Sequence, residues 1–247
     1  MPIILSRGTA PAPNGFVVPP VSRGLRGWFT FDTDPGSFGR NRARGQPNAK
    51  IVGSPIAYAT HGRFKGLQNY LQTQIADSDE ITIMVVGRAV ITPTSVADGA
   101  LLVGGYVGTS QTPGITGNAT CGNLFFNNGT TVIASASRNG GAGTSSAGSV
   151  TVAGTSPTSW AIRAMRAKTG DVTKVFDLTA GVSNVGTSVL QRVLSDTKIR
   201  IGSATVDFAG ECDISVVGIW DKYLTDVEIE QNAVPMRNRM QRLGISV

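Results

Sequence analysis

The chain is poor in the residues that carry most enzymatic chemistry. It has one histidine, His61, and two cysteines, Cys121 and Cys212, in 247 residues. A Ser-His-Asp triad would have to run through that one histidine. It lies in the loop Thr60-His61-Gly62-Arg63 and reads as solvent-facing. Two cysteines build no disulfide framework, though a single bridge stays open. Cys212 sits among apolar strand residues and reads as a small buried hydrophobe. There is no H-E-x-x-H, C-x-x-C or Walker loop, so no cofactor is expected. Only 15% of residues are charged and 6% aromatic. No apolar run approaches the ~18 residues that span a bilayer. The longest candidate, Ile81-Thr82-Ile83-Met84-Val85-Val86, stops at Gly87-Arg88, so no membrane insertion is expected. Met1-Pro2-Ile3-Ile4-Leu5-Ser6-Arg7 lacks the basic start and long apolar core of a signal peptide. Synthesis in the cytoplasm without standard export is the expectation.

What the chain does have is glycine, 31 residues of it, together with abundant Ser, Thr and Asn. That is the composition of strands and turns. A chain of this length buries roughly 70–75% of its unfolded surface and needs no staple to hold a core. The formal charge of +6 and the pI near 9.7 read as solubility. Basic clusters interleaved with stacking aromatics would argue for nucleic acid. Tyr and Trp are too few and are not so placed, so no nucleic-acid partner is expected.

Residues 1–24 read as an extended arm, because Pro2, Pro11, Pro13, Pro19 and Pro20 exclude helix and central strand. Ile3, Ile4, Leu5, Phe16, Val17 and Val18 give the arm apolar points, which are expected to pack on a neighbouring subunit in a homo-oligomer or larger particle. Residues 25–247 read as one domain opening at Gly27-Trp28-Phe29-Thr30-Phe31-Asp32. Residues 33–49 are loop, with Arg40, Arg42 and Arg44 at alternate positions, a candidate surface for an acidic ligand or a subunit contact. Strands are expected over 50–59, 68–73, 80–91, 99–107, 122–127, 130–137, 148–153, 158–168, 172–179, 197–203 and 212–220. Residues 138–149 read as a flexible loop. Trp28, Phe31, Ile83, Val85, Trp160, Ile162, Ile201, Val217 and Ile219 are the expected core. A helix over 225–243 starts at a capping box, Thr225 with Glu228. Pro235 is expected to break it near Val234 into two pieces.

The C-terminal stretch also carries a resemblance. Ile214-Ser215-Val216-Val217-Gly218-Ile219-Trp220-Asp221, then Leu224-Thr225-Asp226 with Glu228, then Leu243-Gly244-Ile245, resemble the last strand and helix of laminin-G-like (concanavalin A-like) domains. The resemblance implies an all-β jelly-roll sandwich with a short C-terminal helical appendage. It implies loop carboxylates as calcium ligands, for which Asp32, Asp34, Asp77 and Asp79 are the nearest, with no loop carrying three in close alternation. Some glycoside hydrolases of that fold carry E-x-D-x-E or E-x-D-x-x-E on a strand. Here Glu211-x-Asp213 is followed by Ser215 and Val216, so the third carboxylate is absent and no catalytic residue is expected. A Gly/Thr/Ser-rich sandwich with a Pro-rich arm resembles small bacteriophage virion proteins. That likeness implies a non-enzymatic tail-fibre or baseplate-type subunit bound to other virion subunits and to a host-surface glycan. A capsid decoration protein and a carbohydrate-active enzyme are the alternatives.

Overall fold

The computed structural model describes residues 16–247. Ile3, Ile4 and Leu5 of the arm lie outside them. The strands are β1 (Leu25–Thr30), β2 (Lys50–Val52), β3 (Ile56–Ala57), β4 (Gly62–Lys65), β5 (Tyr70–Ala76) and β6 (Ile81–Ala89). Then follow β7 (Ala100–Gly104), β8 (Gly108–Thr109), β9 (Asn118–Ala119), β10 (Asn123–Phe126), β11 (Val132–Gly141) and β12 (Thr144–Val152). The chain ends with β13 (Ala161–Ala167), β14 (Lys174–Asp177), β15 (Val182–Val185), β16 (Lys198–Ile201), β17 (Glu211–Trp220) and helix α1 (Asp226–Arg242).

Two antiparallel sheets face each other. One runs β15-β14-β13-β6-β17-β4-β3, with β1 also paired to β17; the other runs β12-β11-β10-β7-β16-β5-β2. Between them lies an apolar layer in which Phe31, Ile83, Val85, Ile201, Val217 and Ile219 are all buried, as expected. Each such side chain contributes on the order of 1.5–3 kcal/mol. Trp28 and Ile162 belong elsewhere: they point to the outer face of the first sheet, which α1 covers with Ile229, Ala233, Met236 and Met240. Trp160 is not core. It is partly exposed just before β13.

One bulge explains how a single strand serves three surfaces. In β17 the register against β6 slips between Ile214 and Val216, leaving Ser215 unpaired with β6. Its hydroxyl donates to Thr60 O at 2.8 Å and its carbonyl accepts from Phe31 N at 3.0 Å. Before the bulge Cys212 and Ile214 face the core and Asp213 faces out. After it Val217 and Ile219 face the core, while Val216 and Trp220 lie beneath α1.

Besides Trp160, the structure departs from the sequence reading in four places that bear on the site. Residues 138–149 are not a loose loop but most of the β11–β12 hairpin, with paired residues from Val132↔Val152 to Gly141↔Thr144. Arg138 anchors it, donating to Lys168 O at 2.7 Å, Leu190 O at 2.9 Å and Thr173 Oγ1 at 2.9 Å. The helix does not break at Pro235 and runs unbroken from Asp226 to Arg242. Buried side chains on both sides of the proline, Ala233 before it and Met236 and Met240 after it, together outweigh the ~3 kcal/mol a mid-helix proline costs. The described end of the arm lies on its own domain. Val21 N donates to Asn232 Oδ1 at 2.9 Å, Val21 O accepts from Trp220 Nε1 at 3.0 Å, and Val17 packs against the helix-covered layer. Phe16 and Val18 are exposed. Finally, His61 is buried, as described below.

The capping box forms as read from the sequence. Glu228 N donates to Thr225 Oγ1, and Glu228 Oε2 accepts from Thr225 N at 2.7 Å. Arg23 adds a bidentate pair to Glu228 at 3.0 and 2.8 Å. These bonds, Arg23 first and Thr225 next, hold the Glu228 carboxyl down at about 2, against an ordinary 4.5. A depressed carboxyl stabilises the fold above its unfolded pKa, and that contribution fades as pH falls through the folded value. Glu228→Gln should therefore flatten the acid side of the stability profile between pH 4.5 and 2. Urea unfolding at several pH values checks it, and an unchanged slope in that window would refute the assignment.

Candidate functional site

Register places a line of polar residues across the outer face of the first sheet, beside the part that α1 covers. Asp213 on β17 stands opposite Arg63 on β4 and opposite Arg88 on β6. Opposed residues on adjacent antiparallel strands share a face and touch. Ala161 stands opposite Gly87, which puts Trp160 beside Arg88 at the next step of the same ladder. The Arg88 guanidinium lies 5.0 Å from the Trp160 ring centroid, and that of Arg63 lies 5.2 Å from the Tyr58 ring.

Asp213 is fully buried and saturated. Arg63 Nε donates to Oδ1 at 2.8 Å and its Nη2 to Oδ2 at 3.1 Å. Arg88 Nε donates to Oδ2 at 3.1 Å, with its Nη2 3.0 Å away. Each arginine keeps Nη1 without a hydrogen-bond partner among the described residues. Their side chains are 26% and 33% exposed, so these spare donors can meet a ligand. Two guanidinium groups on one carboxylate leave a net positive charge.

His61 closes one end. Its ring stacks on Tyr58 at 4.6 Å and meets Trp160 edge-on at 5.2 Å. Nδ1 pairs with Thr60 Oγ1 at 2.8 Å, while Nε2 stands 3.5 Å from Asp213 Oδ1 with no hydrogen bond of its own. Burial pushes the imidazole below its usual range, Asp213 pulls it back, and Arg88 and Arg63 push it down again. His61 is therefore a neutral spacer at neutral pH. The sequence reads it as solvent-facing because its loop is short and polar, and nothing local announces that the turn before β4 packs against Asp213, Ser215 and Trp160.

Glu211 lies one ladder step from Asp213 on the same face, opposite Lys65. Beyond it opens a mostly apolar cleft of about 450 Å³ lined by Lys65, Val90, Ile91, Asp98 and Glu211. The spacing Glu211-x-Asp213 thus does share a face, but only Glu211 is available to solvent.

The other sequence candidates disperse. Arg40 and Arg44 point into solvent from the 38–44 loop, whereas Arg42 turns in against β1 and α1. Asp77 is buried against Arg192, Asp34 caps a 3-10 turn over 35–37, Asp79 accepts from Thr169, and Asp32 faces Arg239. Among the described residues no three His, Cys, Asp or Glu side chains gather around a point that could hold a metal ion. Cys121 and Cys212 are both buried and unbridged, and burial pushes the Cys121 thiol up to about 12. Among the described residues no helix is long and apolar enough to cross a membrane.

This arrangement belongs to an antiparallel β-sandwich with one C-terminal helix, a fold that other solved structures share. The receptor-binding domain of botulinum neurotoxin D superposes with a TM-score of 0.59 at 11% identity, covering 87% of this chain and 54% of that one. The binding domain of botulinum neurotoxin DC, solved in complex with SialylT, gives 0.59 at 8% identity, covering 87% and 52%. A Trypanosoma rangeli sialidase mutant displaying trans-sialidase activity gives 0.60 at 12% identity, covering 86% and 33%. The likeness is one of fold. The chain spans about half the length of the toxin domains and a third of the sialidase. No family model matches the sequence, and no curated protein is similar to it in sequence.

Proposed function

We propose that this protein is a non-enzymatic glycan-recognition subunit of a bacteriophage virion, of tail-fibre or baseplate type, and that the Arg63–Asp213–Arg88–Trp160 row is its sugar platform. The row carries the reading. Tyr58, stacked on His61, and Trp160, with Arg88 over its ring, are both partly exposed and offer that uncovered aromatic surface to a sugar, and the free Nη1 groups of Arg63 and Arg88 offer planar donors for a sugar carboxylate. Asp213 holds both guanidinium groups in place before a ligand arrives, which lowers the ordering cost of binding. The same saturation argues against catalysis. A glycosidase needs two carboxylates free to reach one sugar, and Asp213 is committed to four donor contacts from Arg63 and Arg88. Toxin domains of the same architecture, one of them captured with a sialylated ligand, support the choice of an acidic glycan.

An array of acidic and neutral glycans tests this. Binding should favour carboxylate-bearing sugars, and Arg88→Ala and Trp160→Ala should each weaken it at least tenfold, about 1.4 kcal/mol. Equal binding of neutral sugars, or no loss in either variant, would overturn the platform. Turnover of a bound glycan, abolished by Glu211→Gln, would overturn the non-enzymatic reading.

Assembly through the arm is the second half of the proposal. It rests on the apolar Ile3, Ile4 and Leu5 in a stretch without acidic residues. Deleting residues 2–15 should leave thermal stability nearly unchanged and abolish incorporation into particles. Normal incorporation of the truncated chain would refute it.

A further inference from the structure

Where the flank of α1 meets β1 and the 38–44 loop, the three enclose a cleft of about 270 Å³. Three arginines line it. Arg239 and Arg242 come from the helix and Arg42 from the loop, over a floor that includes Trp28, Thr30 and Val216. The volume holds several water-sized groups at roughly 30 Å³ each.

Three cations around one hollow need a reason. Capping the helix is not it. The terminal carbonyls of α1 are already satisfied by backbone donors: Leu243 N to Arg239 O, Gly244 N to Gln241 O and Ile245 N to Met240 O. Gly244 sits at φ +74°, which lets the chain turn back and make these bonds. Pro235, Arg239 and Arg242 lie at i, i+4 and i+7, so the cleft runs along the helix flank and not off its negative end. Nor is the charge balanced from within. Among the described residues the one carboxylate paired with the cluster is Asp32, 3.8 Å from Arg239 Nη2. Arg239 spends Nη2 on Phe31 O at 2.9 Å, while its buried Nε has no partner among the described residues. Arg42 and Arg242 make no ion pair among the described residues. Residues 1–15, which precede Val17 at the cleft wall, contain no Asp or Glu. Burial and the neighbouring Arg42 and Arg242 push the Arg239 guanidinium below its ordinary value, with Asp32 opposing. The site therefore carries an uncompensated positive charge in a partly dry setting.

We propose that this cleft binds a tetrahedral oxyanion, a phosphate or sulfate group, gripped by Arg42, Arg239 and Arg242. Guanidinium forks match such oxygens two at a time, and three of them from two separate elements surround the hollow. Because Arg42 lies on the loop and Arg239 on the helix, an anion would also clasp the loop to α1. The group could be a free ion or an ester on a sugar, and the two are separable.

The test is calorimetric titration of the full chain with sodium phosphate, sodium sulfate and glucose 6-phosphate, each against sodium chloride at matched ionic strength. Saturable millimolar binding is expected. Arg42→Gln and Arg242→Gln should each weaken it at least tenfold, with Arg42→Lys intermediate, whereas Arg44→Gln, on the same loop but facing solvent, should leave it unchanged. Glucose 6-phosphate tighter than phosphate marks an ester as the ligand; the reverse order marks the free ion. Should Arg42→Gln fail to fold, Arg242→Gln and Arg42→Lys decide. Absence of saturable binding with all three anions overturns the proposal, as does equal binding by the arginine variants.

Discussion

Replacing Asp77 with alanine should cost the fold about 3–5 kcal/mol, the usual penalty for leaving one partner of a buried ion pair behind. Asp77 and Arg192 are both fully buried. Arg192 Nη2 reaches the two carboxylate oxygens at 3.0 and 3.2 Å, and Nη1 donates to Ser78 O. Ser78 N and Ser195 N donate to the same carboxylate at 3.0 and 3.1 Å. The pair thus pins the long connection between β15 and β16 to the end of β5. It also neutralises one of two neighbouring buried arginines, since Arg138 and Arg192 bridge through their backbones and burial first, then Arg192, push the Arg138 guanidinium down. Alanine at 77 leaves the Arg192 guanidinium, like that of Arg138, with no carboxylate at hydrogen-bond distance among the described residues. The double replacement Asp77→Leu with Arg192→Met should recover much of the loss, because it removes both charges. Urea unfolding measures each variant. A loss below about 1 kcal/mol in the single variant would show that water or rearrangement meets the guanidinium.

Asp213→Ala should be the most damaging single change to the sugar platform. Its carboxylate is the group that Arg63 and Arg88 share, each of them otherwise resting only on an aromatic ring, Tyr58 and Trp160. Without it two like charges face each other across β17 and swing apart into solvent. The stability loss should be about 2–3 kcal/mol, below the full buried-pair value because both arginines reach water. Glycan binding should fall by at least two orders of magnitude, although Asp213 itself is too deep to touch a ligand. Asp213→Asn sharpens the test: it keeps the shape and loses the charge, so binding should fall while the fold survives with a smaller loss. If Asp213→Ala binds glycan as well as the parent chain, the arginines act singly, or the ligand sits elsewhere, in the cleft beside Glu211.

The central strands, the capping box and the C-terminal helix are legible because each rests on local spacing, whereas the short β8 and β9 and the exposed edge strand β15 carry no such pattern. Alternating Val and Ile mark β6 and β17, and Thr225 with Glu228 marks the start of α1. The unbroken helix at Pro235 and the ordered hairpin at 138–149 are not legible. There the local signals, a proline and a run of glycine and serine, are overruled by distant partners: the outer sheet face for Met236 and Met240, and Lys168 O, Thr173 and Leu190 O for Arg138. His61 failed for the same reason in reverse, since a polar loop residue is buried by the residues it meets on other strands.

The amino-acid order by itself determined that this chain is an all-β sandwich with a helical close, because two-residue alternation and turn residues need only neighbours to act. It also determined that Glu211 and Asp213 share one face of a strand. Only the tertiary structure decided what that face does. Arg63, Arg88, Asp213 and Trp160 lie far apart in the chain and meet solely through strand register, and Arg42 meets Arg239 and Arg242 solely because α1 packs beside β1. Register and packing are properties of pairs of distant segments. A site built from them has no signature in any one segment.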